Sequence, residues 1–381
     1  MKNAPSTQSA IVLVDRSLDR DVRLDLCRGI ALWFAFLNHV PDNIGSWLTL
    51  RFYGFSDSAE VFMFVSGATC ALAYGRVRRR DGWSAVAGHT LRRSWEIYVA
   101  YLLLIMAYVV IIQLAGNAQF ADQTHIGYLL DRPGEALTHA AILQYRPVNT
   151  DALPNFIVYH LLFVPLLWSL FKSPNVTLGA SLGLYLAVQV FGWNLPQWPV
   201  NVWYFNPFAW QVLVVLGAWW VMGGGEKLWS LLMSRIVTCS AAIFLLFSLV
   251  VTLSWSIAPL ERVFPPLLVK LIYPIDKSDL DPLRLLHFLA IAVLVARFVR
   301  RDWKGSMTPL LRGAVRCGEN SLEIYCLGVL LAFGGEILLV RVTNGIAMQI
   351  AISIGGITLM IAFATLLTWL ANGSRQLPKL L

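Results

Sequence analysis

The side chains able to do chemistry are few and stand where they are costly. An ionisable group inside a lipid-covered segment costs about 2.5–3.5 kcal/mol by insertion scales, so each needs a physical reason. In RLDLCRGIALWFAFLNHVPDN, His39 lies eleven residues after Arg28. Eleven helical steps return to within about 20° of the same face, roughly 16 Å along the axis. Asp25 lies one turn below Arg28. In GFSDSAEVFMFVSG, Asp57 and Glu60 are three apart on one face, and Glu60 runs straight into apolar and small residues that offer it no partner. A short connection makes the two segments antiparallel neighbours, with His39 at the end of one and Glu60 early in the other, at similar depth. A carboxylate beside an imidazole in a low-dielectric site orients the ring as a general base. The same residues would also serve as a structural ion pair, and their spacing leaves both readings open.

Further polar residues interrupt other apolar runs: His160 in NFIVYHLL, Arg284 and His287 in DPLRLLHF, and Glu319, Asn320 and Glu323 in RCGENSLEIY. Arg284 and His287 are three apart, so they can share a cavity. Glu319 and Asn320 look partly like a helix start. Glu336 has no partner that the sequence names. The segment 193–211, WNLPQWPVNVWYFNPFAWQ, is dense in Trp, Tyr, Asn and Gln. It reads either as an interfacial aromatic belt or as a carbohydrate platform. In the second case Trp203 and Trp210 would stack on a sugar ring while Asn206 and Gln211 reach its hydroxyls. The five cysteines form no CxxC pair and lie in or beside apolar segments. That pattern fits small buried hydrophobes better than disulfides or metal ligands, and no metal site is expected.

The elements that must position these residues are membrane helices. Of 381 residues, 57% are hydrophobic and only 14% charged, with a mean hydropathy of +0.63. A soluble domain carries nearer 25% charge, because its surface faces water. Apolar runs at 24–40, 57–75, 94–115, 154–171, 176–192, 207–222, 236–255, 284–299, 321–340 and 346–370 predict an all-α, polytopic bundle of about ten spans. The first 28 residues are polar and charged, so no cleavable leader is legible there and the first span is expected to direct insertion. With the N-terminus inside, the inner segments carry 22 of the 30 Lys and Arg residues and the outer ones 8. Basic residues resist translocation, so both termini are expected in the cytoplasm. The expected organisation is an N-terminal arm (1–20) and one transmembrane domain (21–375). No internal repeat is visible. Two basic cytoplasmic loops, 76–93 and 297–316, account for much of the net charge of +8. They suit topology and anionic lipid, or the phosphates of a nucleotide-like cofactor. Nucleic acid is an unsuitable partner, because there is no soluble domain to carry a groove-reading surface.

The blocks RLDLCRGIALWFAFLNHVPDN, YGFSDSAEVFMFVSGATCALAYGR, WYFNPFAWQVLVVLGAW, DPLRLLHFLAIA and RCGENSLEIYCLGVLLAF together resemble the OpgC family, in order, from about residue 20 to 370. Its members are bacterial inner-membrane proteins associated with succinylation of osmoregulated periplasmic glucans. The first two blocks also resemble the broader membrane acyltransferase-3 group, whose hallmark of a basic residue, ten residues and a histidine fits Arg28 to His39.

The resemblance implies an O-acyltransferase of the bacterial inner membrane, with succinyl-CoA as co-substrate and no resident cofactor. It implies His39 as catalytic base and Arg28 as its motif partner. Roles for the remaining residues are inferred from their positions. Glu60 or Asp57 would hold the imidazolium, and Arg76, Arg78, Arg79 and Arg80, or Arg92 and Arg93, would take the acyl-CoA phosphates from the cytoplasm. Trp203, Asn206, Trp210 and Gln211 would hold the periplasmic glucan acceptor. Arg284, near His287, or Arg28 would pair with the succinyl carboxylate. Membrane lipid and a second copy of the chain complete the expected partners. The alternatives are transfer of acetyl or another acyl group to a different surface glycan, a ten-span transporter, and a scaffold for glycan synthesis.

Overall fold

Each of the apolar runs is helical in the computed structural model, as it must be where lipid offers backbone groups no partner. The structure describes residues 21–116, 118–255, 257, 265–299 and 308–376. The N-terminal arm (1–20) and parts of the 256–283 and 297–316 segments lie outside these. Among the described residues there is no strand, although an isolated bridge joins Pro196 to Val202.

In chain order the helices begin with α1 Val22–His39 and α2 Ser58–Ala115, then the short α3 Ala118–Gln123, α4 Gly127–Asp131 and α5 Pro133–Ala141. Next come α6 Ala152–Leu161, α7 Phe163–Lys172, α8 Pro174–Phe191 and α9 Pro207–Trp219. A π-turn, Trp220–Gly224, leads from α9 into α10 Gly225–Leu232, followed by α11 Arg235–Ser254, α12 Pro266–Ile272 and α13 Pro282–Phe298. The last are α14 Pro309–Glu319, α15 Ser321–Arg341 and α16 Ile346–Gln376.

Length and composition qualify 6 of these as membrane spans, or 7 if α6 and α7, bent by 55°, count as one. The expectation of about ten is not reached on this measure, for three local reasons. The helix α2 absorbs two apolar runs in 58 residues, about 87 Å at 1.5 Å per residue, far more than one bilayer needs. It breaks at Gly82, whose φ of 82° and ψ of −174° leave helical space; such a backbone suits glycine because a Cβ would be strained there. The other two reasons are that α1 carries Arg23, Asp25 and Arg28, and that α13 has only 17 residues.

Both basic segments read as loops are largely helical where described. Residues 76–93 continue α2 across Gly82, and 309–316 belong to α14. The helix α14 is amphipathic and buries Gly313, Ala314, Cys317 and Gly318. A helix with so apolar a face packs on its neighbours instead of remaining a solvated loop.

Two close helix crossings organise the molecule, α9 on α2 and α14 on α1. Each rests on a reciprocal pair of glycines. A methyl group added to Gly67 would collide with the Val214 carbonyl, and one added to Gly217 with the Phe64 carbonyl. Gly29 meets the Ala314 carbonyl, and Gly318 meets that of Asp25, in the same way. Without a hydrophobic force between helices in lipid, small residues that admit close backbone approach carry the association. Gly29→Val should therefore separate α14 from α1 and abolish the monodisperse peak of detergent-purified protein on size exclusion. An unchanged peak and unchanged heat transition would contradict this packing.

Buried apolar residues form two main clusters. The larger draws on α2, α6, α7 and α9, including Tyr101, Ile105, Trp210 and Leu213. The other draws on α1, α14, α15 and α16, including Leu32, Phe36, Ala314 and Met360. The polar residues of interest lie where α1 faces α2, between the clusters.

Candidate active site

His39 closes the last turn of α1. The chain after it is tied down before it returns. Ser353 Oγ donates to Asn43 Oδ1 at 3.0 Å, and the Ile44 backbone N–H donates to Gln349 Oε1 at 2.8 Å, both across to α16. Thr49 Oγ1 donates to Asn38 Oδ1 at 2.8 Å. This anchored connection delivers Asp57 to the N-cap of α2. There the Asp57 side chain accepts from the Ala59 N–H at 2.8 Å, and Glu60 Oε2 accepts from the Asp57 N–H at 2.9 Å. The pair is a capping box, satisfying donors that a helix start leaves open.

The remaining carboxylate oxygens take two cations from the other side of the bundle. Lys277 Nζ stands 2.6 Å from Asp57 Oδ2. Arg284 Nε donates to Glu60 Oε1 at 2.8 Å, and Arg284 Nη2 lies 3.5 Å from Asp57 Oδ2. Two carboxylates and two cations thus form one cluster, with Glu60 fully buried. Burial, the largest single influence, would lower the Lys277 ammonium, but Asp57, Tyr204 and Glu60 together outweigh it and hold the group above its usual range.

The expected pairing of Glu60 with His39 is therefore corrected. Both oxygens of Glu60 are engaged by the Asp57 backbone and Arg284, and Glu60 does not border the space in front of the imidazole. His39 is half-buried and has no hydrogen bond to any described residue. It opens on a cavity of about 580 Å³ that Arg51, Asp57, His125, Arg146, Asp151 and Lys277 also border. The acidic residue of the Asp57/Glu60 pair that shares a cavity with His39 is Asp57.

Arg28 faces elsewhere. Its Nη2 donates to Thr69 Oγ1 and its Nη1 reaches the Gly318 carbonyl at 3.5 Å, while Nε has no partner among the described residues. It borders a second cavity, of about 500 Å³, together with His89, Arg92, Arg93, Glu96 and His160. Arg28 and His39 share a helix stripe yet belong to different cavities. The two cavities have Phe62, Ala152 and Tyr325 in common. Phe62 stacks on Tyr325 at 6.5 Å and meets Phe156 edge-on at 5.3 Å. Tyr325 OH is fixed by the Asn149 carbonyl at 2.7 Å. The cavities therefore meet at an aromatic waist.

The arginines read as phosphate ligands divide. Arg92 and Arg93 border the Arg28 cavity, each also paired with Glu96, at 3.0 and 2.9 Å. Arg76 borders a separate cavity with Asp25 and Glu319. Arg78 is held over the rings of Phe171 (4.1 Å) and Trp83 (4.9 Å), and Arg79 is exposed on the surface of α2.

The aromatic platform is corrected residue by residue. Trp210 is fully buried, its Nε1 donating to the Lys277 and Ser278 carbonyls. Asn206 caps α9 and donates to Asp279 and the Trp193 carbonyl. Gln211 bonds to Ser181, and Trp203 lies beneath the Arg146 guanidinium at 4.3 Å. None of these four borders the His39 cavity. The residues of this segment that do are Gln197, Asn201, Val202, Tyr204 and Phe205. His287 is likewise occupied, accepting at Nδ1 from the Ser56 backbone N–H at 3.2 Å, with Ser56 Oγ at 2.7 Å. All five cysteines are free.

Sequence reasoning passed over Asp151, Tyr325 and Phe62, and counted Arg146 and Lys277 only among the eight outer basic residues. The available signal was Arg146 itself, a lone cation in LQYRPVN with no acidic neighbour within four residues.

Neither a curated protein nor a solved structure matches the chain. The family model described as OpgC protein matches residues 20–372, a span that contains every residue lining both cavities, and the chain accordingly belongs to the OpgC protein family.

Proposed function

We propose that this protein is a membrane O-acyltransferase that moves a succinyl group from succinyl-CoA to a glucose hydroxyl of a periplasmic glucan. The observation that carries the reading is an imidazole with no hydrogen bond to a described residue, at the wall of a roomy cavity that shares Phe62, Ala152 and Tyr325 with a second, arginine-bearing cavity. The excess of Lys and Arg on segments at the Arg28 end argues that this end faces the cytoplasm. The His39 cavity then opens toward the periplasm.

In this scheme the acyl-CoA phosphates lie near Arg92 and Arg93 and the thioester reaches the waist at Phe62 and Tyr325. His39 removes the proton from a sugar hydroxyl as the oxygen attacks the thioester carbonyl. The new C–O ester bond forms, the C–S bond breaks, and the thiolate leaves with the proton that the imidazolium returns. Asp57 borders the same cavity, but its carboxylate is already bonded to Lys277.

Purified protein given radiolabelled succinyl-CoA and a short β-glucan should release CoA and place the label on the glucan. CoA retained intact, with the label recovered unchanged, would overturn the proposal. A transporter using the same two cavities would give that second result.

A further inference from the structure

We infer that Arg146 is a carboxylate-binding residue of the His39 cavity, positioned to hold the free end of a dicarboxylic half-ester or half-thioester. The inference rests on the transferase reading and names the part of the substrate that this side chain recognises.

Arg146 lies on the connection between α5 and α6, and the structure fixes that connection firmly. The Trp198 N–H donates to the Gln144 carbonyl at 3.0 Å and the Val148 N–H to the Thr124 carbonyl at 3.1 Å. Tyr101 OH donates to the Tyr145 carbonyl. The Arg146 side chain is only 1% exposed. Its Nη2 donates to Gln197 Oε1 at 3.0 Å and its plane covers the Trp203 ring, yet Nε and Nη1 have no acceptor among the described residues. Burial lowers the guanidinium to about 10, which leaves it charged at neutral pH. A buried, charged donor with open N–H groups is costly unless a ligand supplies the acceptors.

The other cations nearby are accounted for. Lys277 is taken by Asp57, Arg284 by Glu60, and Arg51 is exposed. Arg146 borders the cavity without an ion pair among the described residues. Asp151 borders it too but stands outside pairing distance. The vacant acceptor positions suit an anion, and guanidinium–carboxylate contacts are the strong, directional form of that interaction. Asp57 and Asp151 in the same wall would repel a dianionic phosphate more than a single carboxylate. The carboxylate has two possible sources: the succinyl tail of the donor, or a succinyl group already carried by the acceptor.

The test uses full-length protein in detergent, with Arg146→Gln, which removes the charge, and Arg146→Lys, which keeps it. Succinyl-CoA and acetyl-CoA are compared as donors, and neutral and previously succinylated β-glucan as acceptors. If the donor tail is held, R146Q should lose about tenfold to a hundredfold in kcat/KM with succinyl-CoA, the worth of a charge-assisted hydrogen bond, and little with acetyl-CoA. R146K should recover part of the loss. If the acceptor is held, the donor ratio stays as in wild type and a preference for succinylated glucan disappears. Equal loss across every donor and acceptor would overturn the inference.

A second readout separates this inference from the reading beneath it. Free sodium succinate should raise the heat transition of wild-type protein more than sodium chloride at matched ionic strength, and R146Q should lose that response. Such a response in a wild type that transfers nothing from either donor would sink the transferase and leave the carboxylate site. Transfer in which R146Q keeps both the wild-type donor ratio and the wild-type preference among acceptors would do the reverse.

Discussion

His39→Ala protein should insert and fold normally yet acylate glucan about 10²–10⁴-fold more slowly than wild type, the range in which a positioned base contributes. The asymmetry between activity and stability follows from the geometry. His39 makes no hydrogen bond to a described residue and faces a cavity, so its loss leaves no buried group stranded. The check is glucan charge by electrophoresis together with membrane-protein yield and heat transition. Wild-type glucan charge in the variant would remove His39 from the mechanism. A large drop in stability would instead make it a packing residue.

Glu60→Gln should do the opposite and cost stability first. Glu60 is fully buried and compensates Arg284 at 2.6 Å. Removing one partner of a buried pair leaves an uncompensated charge, typically a loss of about 3–5 kcal/mol. Asp57, at 3.5 Å from Arg284, offsets a part of that. Pairing Glu60→Gln with Arg284→Met should restore much of the heat transition, because removing both charges avoids the stranded ion. A Glu60→Gln protein as heat-stable as wild type but inactive in transfer would return Glu60 to the chemistry and refute its structural assignment.

These two variants show where sequence reasoning ended. In the sequence His39 and Glu60 looked like partners, two ionisable groups at matching depth on neighbouring helices. Their difference came from α13, more than 200 residues downstream, whose Arg284 claims the carboxylate and leaves the imidazole with no hydrogen bond to a described residue. Spacing along one helix carries no information about which distant cation arrives. The same limit explains the aromatic segment 193–211. Composition marked it as a place for sugar, while the fold turned Trp203, Asn206, Trp210 and Gln211 inward. Its neighbours Gln197, Asn201, Val202, Tyr204 and Phe205 face the cavity instead.

The amino-acid sequence by itself determined that the chain is a helical membrane protein, because charge scarcity and long apolar runs leave no other way to satisfy the backbone in lipid. It also determined the stripe that carries Arg28 and His39, since helical periodicity is local. Only the tertiary structure decided that these two residues border separate cavities, that those cavities share Phe62 and Tyr325, and that Arg146 borders one of them with no ion pair among the described residues. Each of these depends on contacts between segments far apart in the chain, and such contacts are set by how helices pack. Local residue order does not record them.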